Sequence, residues 1–239
     1  MNKIIIPNAV TSLNIISGTL AILVSLRYPE YLYVASILVF LASVFDFFDG
    51  FLARLLNAQS EFGKQMDSLS DLVSFGLAPT FIMFNLIQNA TTNPYLPYIS
   101  FIIVVLSAIR LAIFNITNQK DSFNGLPTPA LAIFVVSIPL ILKFPQISHI
   151  INIDSVFIFE NLWILISSTL ILSILLVTNI KMLSLKFKNF KFQENRIRYI
   201  LLIISVLLLI VFVWLAIPFI IIVYIFLSVL EFNQKKQKK

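Results

Sequence analysis

Four aspartates carry the most legible chemistry in this sequence. Asp46 and Asp49 stand three residues apart and Asp67 and Asp71 four apart, and either spacing sets a pair of side chains on one face of a helix. Between the pairs run Gly50, Ala53 and Arg54, then eight residues, then Gly63. The chain holds 11 acidic residues, and these four fall inside or at the ends of apolar runs. An aspartate at the centre of a membrane helix costs about 2.5–3.5 kcal/mol to insert, so it marks a functional site by default. Four together require a compensating cation.

The nature of that cation follows from what the chain lacks. With no cysteine and a single histidine, His149, thiolate sites, histidine clusters, cysteine nucleophiles and a serine-histidine pair all drop out. Hard carboxylate oxygens alone suit Mg²⁺, Mn²⁺ or Ca²⁺. Magnesium is commonly shared between a few carboxylates and the phosphate oxygens of a substrate, which points to phosphoryl-group transfer. Gly50 and Gly63, without side chains, let a ligand or a partner helix come close to the backbone. The Arg54 guanidinium offers a fork of donors to a phosphate. Two other readings compete. Aspartates paired with Arg54, Lys64 or the backbone as helix caps would account for one or two of the four, not for all of them in register. A cation pathway, as in a divalent-cation or solute transporter, would need acidic residues to continue through the other spans, and they do not.

These residues sit in a chain built to live in lipid. It is 59% hydrophobic and 12% charged, with a mean hydropathy of +0.97, which excludes an ordinary soluble domain. Apolar blocks near 9–27, 33–55, 66–88, 96–118, 127–143 and 161–178 are each of a length to cross a bilayer. A last block, 199–232, would be roughly 50 Å long as one helix, well beyond a hydrocarbon core of about 30 Å. Pro218 near its middle allows a break into a hairpin of two short helices. The N-terminal apolar stretch is interrupted by Pro7, Asn8, Thr11 and Asn14 and reads as retained rather than as a signal peptide.

Charge sets the orientation. The net charge of +6 could suggest nucleic acid, but the cations lie between and after apolar spans, where they act on a membrane surface. Lys3, Arg54, Lys64, Arg110 and Lys120 fall on one side of the alternating topology, and Arg27 and Lys143 on the other. The loop from Lys181 to Arg198 and the tail from Lys235 to Lys239 are both basic, so the positive-inside rule puts both in the cytoplasm. That requires an even number of crossings between them and favours the hairpin. If spans two and three turn near Ala58, Asp46 comes level with Asp71 and Asp49 with Asp67, at the cytoplasmic end. The expected fold is all-α, a polytopic membrane helix bundle. Residues 1–178 would form a six-span core; residues 179–239 would add a basic cytoplasmic loop, a helical hairpin and a lysine-rich tail.

From Asp46 to Asp71 the chain follows D-x2-D-G-x2-A-R-x8-G-x3-D-x3-D without departure, and in this it resembles the CDP-alcohol phosphatidyltransferases. Further segments resemble the phosphatidylserine synthase branch of that family. They are Ile6-Pro7-Asn8-Ala9-Val10-Thr11, Leu56-Asn57-Ala58-Gln59-Ser60, Val73-Ser74-Phe75-Gly76-Leu77-Ala78-Pro79, Arg110-Leu111-Ala112 with Phe114-Asn115, and Gly125-Leu126-Pro127-Thr128-Pro129-Ala130. The resemblance covers roughly the first 145 residues. It implies transfer of a phosphatidyl group from CDP-diacylglycerol to the hydroxyl of L-serine, with release of CMP. It also implies a homodimer in the cell membrane and an interfacial helix before the first span. Carried over position by position, Asp46, Asp49, Asp67 and Asp71 would hold one or two ions of Mg²⁺ or Mn²⁺, and Asp71 would take the serine proton. Asn8, Thr11, Gly50, Ala53, Arg54 and Gly63 would surround the cytidine and phosphates. Other acceptors in the same class are glycerol 3-phosphate and inositol phosphate, and an archaeal-type lipid is an alternative donor.

A zwitterionic acceptor needs a cation for its carboxylate, and Arg110 is the arginine expected inside a helix away from the main motif. Snorkelling to the interface accounts for it as well. Asn115 and Thr128 would add hydrogen bonds, although capping and packing explain them equally. The topology has a direct test: a reporter fused after Lys239 is expected to read cytoplasmic, and a reading from the far side of the membrane refutes the terminal hairpin.

Overall fold

The computed structural model describes residues 3–117, 123–145, 155–183 and 192–237. Lys120, His149, Lys186, Lys188 and Lys191, with the last lysines Lys238 and Lys239, lie outside the described residues. Among the described residues five stretches are long and apolar enough to cross a membrane: Ile5–Arg27, Pro29–Leu55, Glu61–Ala90, Leu96–Ile116 and Asn195–Phe232. Thr128–Lys143 and Leu162–Val177 are shorter apolar helices. The protein is a polytopic membrane helix bundle.

Helix α1 (Ile5–Arg27) starts before the polar residues that seemed to interrupt it. Pro7 lies in its first turn, where a backbone N–H would have no helical partner anyway, so proline is tolerated there. A separate interfacial helix ahead of the first span is therefore not found among the described residues, because α1 runs unbroken from Ile5. A one-turn 3₁₀ segment, Pro29–Tyr31, leads into α2 (Leu32–Leu55). That helix ends in a tight turn. The Ala58 N–H donates to the Ala53 carbonyl at 2.9 Å and the Asn57 N–H to that of Arg54 at 3.2 Å, with Asn57 at φ 49 in the left-handed region. Both bonds satisfy carbonyls that a helix end leaves open, and asparagine tolerates this φ better than most residues.

Ser60 then caps α3 (Glu61–Asp71), its hydroxyl accepting from the Gly63 N–H at 3.0 Å. The span does not stay a regular α-helix. A wide π turn, Leu72–Leu77, separates α3 from α4 (Ala78–Ala90). Pro79 in the first turn of α4 has no N–H to give back up the chain, and the widened turn directly before it absorbs that gap.

Helix α1 packs along this third span in parallel, held by three polar staples. The Ser70 hydroxyl donates to the Thr11 carbonyl (3.2 Å), the Ser74 hydroxyl to that of Asn14 (3.0 Å) and the Asn85 amide to that of Ser25 (3.0 Å). The partners are separated by 59, 60 and 60 residues, so the two helices stay in one register over their whole contact. Gly18 makes that approach possible: a Cβ there would lie 2.7 Å from the Ser74 Cα.

The remaining elements close the bundle. A 3₁₀ stretch, Leu96–Phe101, precedes α5 (Ile102–Ile116). A two-residue antiparallel pair joins β1 (Phe123–Asn124) to β2 (Lys181–Met182). Between those strands lie α6 (Thr128–Lys143), the short α7 (Ser155–Phe159) and α8 (Leu162–Val177). Helix α6 is the centre of the core, buried from Phe134 to Ile141 on every face, so its 16 residues need not match the lipid thickness. The strand pair was not legible in the sequence, since two residues carry no alternation to read.

After β2, α9 (Phe192–Phe212) and α10 (Ala216–Gln237) are parted by a 3₁₀ turn, Val213–Leu215, in which Val213 stands at φ 47. The break comes five residues before Pro218, where proline can sit early in the following helix. Helix α10 runs back beside β2. The Tyr224 hydroxyl donates to the Leu183 carbonyl (3.1 Å), the Leu183 N–H donates to the Ser228 hydroxyl (3.1 Å), and the Lys181 ammonium lies 5.6 Å from the Phe232 ring centre. At its other end Trp214 meets Phe40 of α2. Replacing Gly18 by valine is expected to cost about 1–3 kcal/mol by forcing α1 off the third span. A lowered unfolding temperature in detergent checks this, and an unchanged one would mean the contact yields freely.

Candidate active site

The turn at 56–60 places the ends of α2 and α3 side by side, and that brings their carboxylates together. Asp46, Asp49 and Asp67 each offer an oxygen, and these oxygens all lie within 4.8 Å of one another. Asp46 is also within hydrogen-bonding reach of Asp71 as well as Asp67. Asp71 sits one turn further along α3 and is not part of the close group of three. Asp49 is 4% exposed, and the Thr11 hydroxyl and the Gly50 N–H face its carboxylate. So α1 takes part in the site through Thr11, which the staple at Ser70 fixes.

These residues fit a divalent cation. Asp49 Oδ2 and Asp71 Oδ1 are buried without a hydrogen-bond partner. Carboxyl groups in contact in an apolar slab repel one another unless a proton or a metal lies between them. All the donors are hard oxygens, which suits Mg²⁺, Mn²⁺ or Ca²⁺.

A cavity of about 490 Å³ opens beside the aspartates. Asp46, Asp49 and Asp67 line one wall, and Asn8, Thr11, Gly50, Ala53, Arg54 and Gly63 line the rest together with the 56–60 turn. All six positions that the family resemblance assigns to a nucleotide-lipid thus meet in one space. Gly63 is packed closely there, since a Cβ would come 3.1 Å from the Ser60 hydroxyl and 3.3 Å from Asn8 Oδ1. Arg54, at the end of α2, folds back over Gly50, with its terminal nitrogens 4.0 Å from where a Gly50 Cβ would stand.

Among the cavity residues given no functional role in the sequence are Gln59 and Ser60, whereas Lys64 is weighed there as a partner of the aspartates and as a cation for a phosphorylated acceptor. Ser60 was findable, because a serine after a turn and before a periodic run marks a helix start. The first turn of α3 borders this space through Ser60, Gly63 and Lys64, and the positive end of a helix dipole is a setting that favours phosphate oxygens. Lys64 spans two roles, lining the cavity and donating to the Asn115 carbonyl at 3.2 Å.

The two acceptor candidates on α5 separate. Asn115 exchanges hydrogen bonds with Ser68 at 2.9 and 3.2 Å and does not line the aspartate cavity. Arg110 donates to the buried Thr128 hydroxyl at 2.8 Å and interacts electrostatically with Asp71. It borders a second, smaller cavity rather than the one beside the metal-type ligands.

An integral-membrane helical protein with carboxylates gathered beside a cleft of about 490 Å³ is the class that this fold and site define. A family model described as CDP-alcohol phosphatidyltransferase matches residues 4–175, and the chain belongs to that family. A Methanocaldococcus jannaschii protein named CDP-diacylglycerol–serine O-phosphatidyltransferase is 41% identical over 155 residues, 64% of this chain and 70% of that protein. A Helicobacter pylori protein of the same name is 32% identical over 204 residues, 84% of this chain and 79% of that one. An archaetidylserine synthase from Methanothermobacter thermautotrophicus is 37% identical over 149 residues, covering 61% and 62%.

Asp49→Asn and Asp67→Asn are each expected to weaken Mn²⁺ binding about tenfold or more. Paramagnetic resonance of Mn²⁺ with the detergent-solubilised protein measures this. Binding equal to the unchanged protein would remove those carboxylates from the ligand set.

Proposed function

We propose that this protein transfers the phosphatidyl group of CDP-diacylglycerol to the hydroxyl of L-serine, giving phosphatidylserine and CMP. One observation carries the reading: a single cavity is lined at once by three clustered aspartates and by the six residues that the family resemblance places around the cytidine and phosphates. Family membership supports the reaction class. Serine is supported by the names of the relatives, which agree on serine while differing in the lipid.

In this reading Asp46, Asp49 and Asp67, with Asp71 beside them, hold Mg²⁺ or Mn²⁺. A bound divalent ion would neutralise charge on the pyrophosphate oxygens and on the departing CMP. Arg54 and the first turn of α3 hold the phosphates, with Asn8 and Thr11 closing the cavity from α1. Serine's hydroxyl is a poor nucleophile at neutral pH, so a positioned carboxylate must accept its proton as the new bond to phosphorus forms. Asp71 has the attributes of that base: a buried, unpartnered oxygen beside Asp46, and the Arg110 charge close by. The apolar surroundings keep water from competing for the activated lipid.

We further propose that residues 1–178 form the transferase unit and that 179–239 form a basic loop, hairpin and tail. The aspartate end and both termini would face the cytoplasm of the cell membrane, as the distribution of lysine and arginine supports. The working form would be a homodimer.

Purified protein given CDP-diacylglycerol, Mn²⁺ and L-serine is expected to release CMP, to stop on chelation, and to do far less with glycerol 3-phosphate or inositol phosphate. No metal-dependent CMP with any alcohol overturns the transferase reading, and CMP with glycerol 3-phosphate alone moves it to another acceptor. Asp71→Asn is expected to lower kcat by about 10²–10⁴-fold while CDP-lipid binding persists. Near-normal turnover would remove Asp71 as the base.

A further inference from the structure

The last helix carries a polar pair that neither lipid nor core packing explains. From Ala216 to Leu230, α10 is apolar except for Tyr224 and Ser228, which stand four residues apart on one face and are both buried. Both are directed at one residue. The Tyr224 hydroxyl donates to the Leu183 carbonyl and the Ser228 hydroxyl accepts from the Leu183 N–H, each at 3.1 Å. Apolar surface alone holds a helix in a bilayer, so polar side chains inside a span mark a task. The family model ends at residue 175, and none of these three residues falls within it.

Leu183 directly follows β2, and from there a chain of contacts leads to Arg110. Strand β2 pairs with β1, and just after β1 the Gly125 N–H donates to the Ile180 carbonyl and the Leu126 N–H to that of Leu175, both at 2.8 Å. Gly125 stands at φ 77 against the Leu176 carbonyl, where a side chain would not fit, so this crossing has no slack. Two residues beyond Leu126, α6 begins with Thr128, whose buried hydroxyl accepts from the Arg110 guanidinium at 2.8 Å. A second line is shorter. Tyr224 interacts electrostatically with Arg110, which interacts in turn with Asp71. With its hydrogen given to Leu183, the phenol keeps oxygen lone pairs, whose negative charge attracts a cation.

We propose that Tyr224 is a positioning residue for the transfer reaction, setting the Arg110 guanidinium against Asp71 from the last helix. An arginine side chain has many rotamers, and fixing it takes more than one contact. Thr128 supplies one, through a wall that Tyr224 braces at Leu183. The phenol oxygen supplies the other. Held in this way, Arg110 keeps its positive charge beside the carboxylate that receives the proton. The C-terminal hairpin is then more than an anchor, since the unit formed by residues 1–178 depends on it for the aim of one side chain. This assignment rests on the reading of the protein as a transferase with Asp71 as its base.

A double-mutant cycle in the whole chain tests it. Tyr224→Phe removes one oxygen and is expected to lower kcat about 3–30-fold, with the KM for CDP-diacylglycerol and the binding of Mn²⁺ unmoved. In an Arg110→Gln background, where the charge is already gone, the same change is expected to lower kcat by less than about twofold. An unchanged kcat in Tyr224→Phe overturns the proposal. So does an equal fold loss in both backgrounds, which a merely structural tyrosine would give. A second readout needs no turnover. 3-Fluorotyrosine placed at position 224 is expected to shift its fluorine resonance on Arg110→Gln, and an unmoved resonance overturns the pairing. That resonance decides the matter where Arg110→Gln leaves no turnover to measure. It also decides it where the unchanged protein releases no CMP with any alcohol, a result that sinks the transferase reading by itself.

Discussion

Everything in this molecule answers to one constraint: carboxylates must be held together in a region that water does not fill. Isolated, each would be expelled from an apolar slab, and grouped without compensation they would drive each other apart. The bundle deals with this by rigidity. Two helix ends are joined by a tight left-handed turn at Asn57, so Asp46 and Asp49 face Asp67 across a short distance. Helix α1 is stapled in parallel to the third span at three places and brings Thr11 against Asp49 of α2. The same staples occupy backbone carbonyls of α1 with serine hydroxyls and an amide, so helix packing and site geometry share their contacts.

Much of the site was legible because its residues are close in sequence and helical spacing is periodic. Three and four residues between aspartates mean one face, and a turn near Ala58 means opposed faces; both inferences need only local rules. Distant pairings escaped. Nothing in the sequence announces that α5 is rotated so that Asn115 meets Ser68 while Arg110 looks into a different cavity. Rotation about a helix axis is set by packing against all neighbours, and in an apolar chain nearly every face is a candidate. The β1–β2 pair was invisible for a different reason, being too short to show a period. Pro7 misled in the opposite direction: taken as a break, it proved to be a first-turn proline that starts the helix earlier.

The two cavities have no lining residue in common and differ in chemistry. The larger is lined by acids, small residues and a helix start, a surface for phosphates and a divalent ion. The smaller has one cation and amides around it. Arg110, on the wall of the smaller, interacts electrostatically with Asp71, which lies beside Asp46 on the wall of the larger. The C-terminal helix α10 enters this arrangement through Tyr224, which bonds Leu183 just after β2 and bears electrostatically on Arg110. A segment without recognisable motifs thus buttresses the wall that carries Asn124.

The π turn at Leu72–Leu77 divides its span into two halves of different duty. Above it, α3 aims Asp67 and Asp71; below it, α4 buries Ile82, Met83 and Ile87 in the core. A continuous α-helix would transmit any rotation of one half to the other residue by residue. The widened turn works as a clutch between them. What coupling remains between the halves passes through α1, which bonds Ser70 before the turn and Asn85 after it.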